Sequence, residues 1–165
     1  MSEASLSAAS GAYGADGAER SRREFLTCRL DEESYGIDIL RVQEIRQVDL
    51  VTRVPHVAPF TRGVINLRGA IVPIVDLGLM FGFPRPIDLK EASAIILNSG
   101  QRLVGLIVSS VSDVIALADD EIRPAPDFAG RAIGGAISGI GVGEGASVLL
   151  LDVDHLLQRI REERE

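Results

Sequence analysis

Residues 63–77 read Gly-Val-Ile-Asn-Leu-Arg-Gly-Ala-Ile-Val-Pro-Ile-Val-Asp-Leu, two β-branched runs on either side of Arg68-Gly69. Val and Ile favour the pleated strand, and Gly at a tight turn adopts positive φ without a Cβ clash. The stretch is therefore a β-hairpin with its turn at Arg68-Gly69, and Gly69 is a structural turn residue. Pro73 has no N–H to give to a ladder, which predicts an edge or a bulge for the second strand.

The same style extends in both directions. Upstream, Leu26, Cys28 and Leu30 alternate with Thr27 and Arg29, the polar turn 31–34 follows, and 35–37 resumes as a strand. Asp38 is placed to cap a short helix carrying Leu40, Val42, Glu44 and Ile45. Residues 51–54 are strand-like before Pro55, and 58–60 make a corner. Downstream come a strand at 94–97, a turn at 98–101, a long run at 103–111 and a short strand at 114–117. Two prolines then break 122–128, and a third hairpin joins 137–142 to 147–153 around the glycine-rich 143–146. Asp152 or Asp154 leads a charged terminal helix whose packing face is Leu156, Leu157 and Ile160. At least eight short strands without βαβ alternation predict an all-β fold of small barrels or a sandwich.

The chain has 165 residues, 46% apolar and 25% charged, with mean hydropathy +0.21, so it can build a packed core. Aromatics are 4% and Trp is absent, so that core is aliphatic. Residues 1–20 hold thirteen Ala, Gly or Ser and predict a flexible tail preceding a domain at 21–165. Net charge −7 and a pI near 4.9 disfavour nucleic acid and anionic bilayers as partners. The single Cys28 suits a reducing compartment. Neither a signal peptide nor a transmembrane run is visible, and the expected location is the cytoplasm.

Enzymatic signatures are absent. The glycines of 139–145 do not match dinucleotide-loop spacing and precede a strand, which predicts a glycine-rich hairpin. The only lysine, Lys90, has no glycine-rich loop before it, which removes a Walker site. His56 and His155 lie far apart without a third ligand at metal spacing, as expected of surface histidines, and Cys28 reads as a buried small hydrophobe. No cofactor, metal or catalytic group is expected. Residues 41–85 hold six Arg against Glu44, Asp49 and Asp76, a local +3 that leaves −10 elsewhere. At a turn tip, the planar guanidinium of Arg68 could take a carboxylate or backbone oxygens of a protein partner.

With these residues in view, 24–157 resembles the CheW family of chemotaxis coupling proteins. The resemblance rests on Tyr35-Gly36-Ile37-Asp38-Ile39, Val42-Gln43-Glu44-Ile45, the Asn66-Leu67-Arg68-Gly69 hairpin with 71–77, Val111-Ser112-Asp113-Val114 and 122–126. It implies two intertwined five-stranded SH3-like β-barrels with short helices and a C-terminal helix, forming two subdomains that share a core. It also implies a non-catalytic scaffold that couples methyl-accepting chemoreceptor tips to the histidine kinase CheA, at membrane-bound receptor arrays. Val42, Glu44, Ile45, Gly63, Arg68 and Val114 fall where the family meets its partners, and Phe128 where it builds rings with itself. The leader, Gly78 and the loop 134–145 depart from the family pattern, which bears on partner choice. The alternatives left open are a paralogous adaptor of another chemosensory pathway such as surface motility, a detached CheA-like regulatory domain, and a small ligand-binding or enzymatic barrel.

Overall fold

The computed structural model describes residues 21–48, 50–126, 134–143 and 146–164, so the tail 1–20 and Phe128 lie outside the described residues. The strands are β1 (Arg22–Leu30), β2 (Glu33–Asp38), β3 (Val42–Gln47), β4 (Thr61–Leu67), β5 (Ala70–Asp76), β6 (Ser93–Asn98), β7 (Leu103–Val108), β8 (Ser110–Ala118), β9 (Ile122–Arg123), β10 (Ile137–Gly143) and β11 (Ala146–Leu151). Helix α1 spans Leu77–Met80 and α2 spans Val153–Arg164. One sheet runs β8-β1-β2-β11-β10-β9 and the other β3-β6-β7-β5-β4. The second sheet is thus built from one continuous segment nested inside the first.

Both sheets curl back on themselves. The outermost strands of the first, β8 and β9, are joined by the single 3-10 turn Asp119–Glu121. In the second, Thr52, just beyond β3, exchanges two 2.8 Å backbone hydrogen bonds with Val64 of the opposite outer strand β4. The all-β, barrel-like architecture matches expectation, except that the two-residue β9 gives the first sheet six strands rather than five.

The β4–β5 hairpin forms as the sequence predicts, with Leu67 opposite Ala70. Arg68 (φ 51°) and Gly69 (φ 91°) both take positive φ, the geometry that matches strand twist in a two-residue loop. Asn66 closes the turn, its Oδ1 accepting from Gly69 N at 2.8 Å. A Cβ at Gly69 would meet nothing within 4 Å, so any other residue there faces only a conformational cost of about 1–2 kcal/mol. The expectation for Pro73 is corrected: β5 lies inside its sheet, between β4 and β7. Pro73 is tolerated because the parallel ladder to β7 begins one residue later, at Ile74 opposite Gly105.

Three further expectations change. Asp38 caps a single 3-10 turn, Ile39–Arg41, rather than a helix, its Oδ1 accepting from Leu40 N at 3.0 Å. From Val42 the chain is strand β3, bulged between Val42 and Glu44, because pairing with β6 outweighs local helix preference. The apolar run 103–111 is two strands: β7 ends at Val108, Ser109 N donates to Arg29 O at 2.9 Å, and β8 departs into the other sheet. Residues 51–54 form an isolated bridge rather than a strand.

Among the described residues, three aliphatic clusters hold the fold. The largest lies between the sheets and joins Leu26, Cys28 and Leu30 of β1 to Ile95, Leu97 and Leu106 and to the α2 face Leu156, Leu157 and Ile160. Each sheet also encloses its own cluster, one around Val72, Ile74, Ile96 and Ile107 and one around Phe25, Leu117, Val148 and Leu150. Successive β6 residues therefore serve different clusters, which explains its unbroken apolar run. Asp152 caps α2, its Oδ1 accepting from His155 N at 3.0 Å. His56 is exposed as expected, whereas His155 is half-buried, because Gly135 leaves room for its ring: a Cβ there would lie 2.6 Å from Cε1.

Cys28 is fully buried, and loss of hydration pushes its thiol pKa up to about 12. The native protein is expected to resist a thiol reagent at pH 8 and to react with one equivalent once unfolded in denaturant. Fast native-state labelling would show that β1 opens.

Candidate partner-binding surface

Asp76, fully buried at the end of β5, anchors the elements behind the hairpin. Its Oδ1 accepts from Leu79 N (3.0 Å) and so caps α1. Its Oδ2 accepts from Ile87 N (2.9 Å) and from Arg62 Nη1 (3.0 Å), which also donates to Ile87 O (2.9 Å). One carboxylate thus ties β4, β5, α1 and the loop at 87 into a single support.

On the outer side of this support, the tip residue Arg68 reaches across to β3, and its Nη2 donates to Glu44 Oε2. Arg46 Nη1 lies 3.7 Å from Glu44 Oε1. The hydrogen bond from Arg68 is the main reason that the Glu44 carboxyl is held below the usual carboxylate range. Because this carboxyl stays ionised to lower pH than a free one, the stability it contributes is fully present above the ordinary Glu range and is lost as pH falls through its lowered pKa. The pair links the outer strand β3 to the hairpin tip and so closes the second sheet. Arg68 is still largely exposed and offers its remaining donors outward.

Exposed large aliphatics include Ile45, the chain neighbour of Glu44 on β3, Ile71 on β5, three residues beyond Arg68, and Leu40 in the turn before β3. A groove of about 700 Å³ opens beside the hairpin, lined in part by Val64, Ile71, Val72, Leu157 and Ile160. Among the described residues, its charged lining is Arg102 and Arg161.

The residues singled out from sequence are only partly brought together. Val42, Glu44, Ile45 and Arg68 share β3 and the tip that meets it. Gly63 lies on the neighbouring β4, buried, where a Cβ would sit 2.2 Å from Thr52 O. Its need for glycine is thereby explained by backbone approach. Val114 is on β8 of the other sheet, opposite Leu26 and half-buried against the main core. Leu40 and Ile71 were missed as surface residues. The 71/72 alternation along β5 carries that signal for Ile71, whereas Leu40 sits in a 3-10 turn where the sequence predicts a helix.

Gly139, Gly141 and Gly143 lie on β10 of the β10–β11 hairpin, where the lack of a side chain allows close packing. A Cβ at Gly141 would lie 2.6 Å from Leu117 Cδ1, where β8 comes back onto β10. Among the described residues, no cluster of three or more His, Cys, Asp or Glu could hold a metal ion. No helix among them is long and apolar enough to cross a membrane.

Two curled sheets carrying a surface ion pair and several exposed aliphatics suit a protein-binding module. Residues 24–161 match the CheW-like domain family, and the chain belongs to it. It is 45% identical over 135 residues to the chemotaxis protein CheW of Klebsiella aerogenes, covering 82% of this chain and 81% of that one. Identity to CheW of Rhizobium meliloti is 34% over 143 residues, covering 87% and 91%. Among solved structures, the scaffolding protein TtCheW from Thermoanaerobacter tengcongensis superposes with a TM-score of 0.72 at 30% identity, covering 79% of this chain and 88% of that one. Members of this family are non-catalytic scaffolds, so the chain is a chemotaxis adaptor and not an enzyme.

Proposed function

We propose that this adaptor joins the cytoplasmic tips of methyl-accepting chemoreceptors to a CheA-type histidine kinase, and that β3 with the Arg68 tip forms one of its contact faces. The observation that supports this reading is the Glu44–Arg68 pair, which ties an exposed arginine at a hairpin tip to β3, with Ile45 exposed on the same strand and Ile71 exposed on β5. Val42, Glu44, Ile45 and Arg68 are the contact residues of that face, with Gly63 supporting it from behind and Val114 marking a contact on the other sheet. In this reading the protein works in the cytoplasm at membrane-bound receptor arrays, and neither a cofactor nor nucleic acid takes part.

Arg68→Glu tests the assignment. It removes the ion pair and sets two carboxylates side by side, but both groups are solvated, so the melting temperature is expected to stay close to wild type. Binding to the kinase or to the receptor fragment should weaken on the order of a hundredfold, because like charges at a contact repel. Co-sedimentation of the variant with both partners decides it: wild-type assembly by a folded variant would remove Arg68 from the contact face.

A further inference from the structure

We propose that the groove at the base of the β4–β5 hairpin, remote from Arg68, is a second docking site whose occupant is an apolar, carboxylate-bearing segment of the chemoreceptor tip. The inference deepens the proposed function and rests on it, since the receptor is one of the two partners named there. The groove holds about 700 Å³ and is lined in part by Leu50, Arg53, Val54, Arg62, Leu79 and Leu89. Arg62 stands six residues before Arg68, which puts it roughly 20 Å along β4 from the tip.

Both walls are fixed before any partner arrives. On one side, Thr52 exchanges two 2.8 Å backbone hydrogen bonds with Val64, and the neighbouring Gly63 lets the loop come close: a Cβ there would lie 2.7 Å from Val51 Cγ1. On the other side, Asp76 accepts from Leu79 N and Ile87 N and so holds α1 and the segment beyond it. A segment entering such a groove loses little affinity to ordering the walls. The apolar rim is uncovered, with Leu50 81% exposed and Val54 38%.

Charge decides what fits. Among the described residues, no Asp or Glu lines the groove, and its ionisable lining is Arg53, Arg62 and His56. Arg53 has no side-chain partner, and Arg62 uses only Nη1 for Asp76 and Ile87 O, which leaves its Nη2 and Nε unused. In a chain of net charge −7, a groove with unused guanidinium donors and no carboxylate of its own calls for a carboxylate from outside. The leucines and valines around these donors call for apolar side chains on the same segment. A groove receives a narrow projecting element, and of the two partners the receptor is the one engaged at a tip.

The test uses the full chain with a receptor cytoplasmic fragment as the probe and a CheA regulatory fragment as the comparison. Arg53→Glu should leave the melt unchanged, because the side chain is exposed and unpaired. It should weaken binding to the receptor fragment tenfold or more, and Leu50→Ala should weaken it severalfold. Kinase binding should stay at the wild-type level in both. Arg123→Glu makes the same charge change on exposed β9 of the other sheet and should leave receptor binding unchanged. Wild-type receptor binding by Arg53→Glu and Leu50→Ala overturns the docking site and leaves the proposed function standing. An equal loss in Arg123→Glu overturns it too, since overall charge would then be the cause, as does a loss confined to kinase binding. A wild-type chain that does not bind the receptor fragment overturns the proposed function and, with it, this inference.

Discussion

Asp76→Ala is expected to be among the most destabilising single changes available, at about 3–5 kcal/mol, the range for breaking a buried ion pair by removing one partner. The side chain has no exposed surface, and its two oxygens satisfy Arg62 Nη1 and the backbone N–H groups of Leu79 and Ile87. Its loss strands two backbone donors and leaves Arg62, only 21% exposed, without its counter-charge. For a chain of this length the melting temperature should fall by roughly 10 °C or more. Asp76→Asn keeps one oxygen for capping and should fall between the two. Chemical denaturation of the three proteins measures this. A loss below about 1 kcal/mol would mean that Arg62 escapes to water and that the loop at 87 is held by other contacts.

Gly63→Ala should be comparably severe, for a different reason. The residue has φ 141°, where side chains are strained, and its Cβ would lie 2.2 Å from Thr52 O, a backbone atom that cannot turn aside. Conformational strain of about 1–2 kcal/mol adds to an overpacking cost of about 1–3 kcal/mol, so a loss near 3 kcal/mol is expected. Gly69 and Gly100 also have positive φ, but open space surrounds them, so Gly69→Ala and Gly100→Ala should cost only the conformational part. Melts of the three variants should rank Gly63→Ala far below the others. If all three lie together, close approach of Thr52 is not what requires glycine at 63. Because the cost is to the fold, lost partner binding by a Gly63 variant would not by itself mark a contact.

The hairpins were legible because their signals are local. Asn66-Leu67-Arg68-Gly69 specifies its own turn, Asn98 to Gln101 does the same between β6 and β7, and the α2 face follows from Leu156, Leu157 and Ile160. What could not be read were features set by distant partners. Residues 42–47 carry a pattern that suits a helix or a strand, and only the distant β6 decides for strand. The break at Ser109 is invisible within an apolar run, because its cause is Arg29, eighty residues earlier. Pro73 was misplaced for the same reason, since the point where β7 joins β5 is not encoded near the proline. At the contact face, Arg68 was found from its turn and its resemblance, but its pairing with Glu44 depends on the curl of the whole sheet.

The nested path of the chain carries a consequence for synthesis. As the polypeptide leaves the ribosome, 42–108 holds every strand of the second sheet, so its ladders can form from that segment alone: the β4–β5 and β6–β7 hairpins close locally, and β3 joins β6 across a longer loop. The first sheet must wait: β1 needs β8, and β2 needs β11, which is made almost last. Until then β1 and β2 are a lone hairpin with uncovered apolar residues and an unpaired edge, the kind of segment that recruits chaperones or sticks to other nascent chains. A chain ended after residue 108 would therefore hold all the ladders of the second sheet, while β1 and β2 lack their neighbours and the cluster between the sheets lacks the face made by Leu156, Leu157 and Ile160.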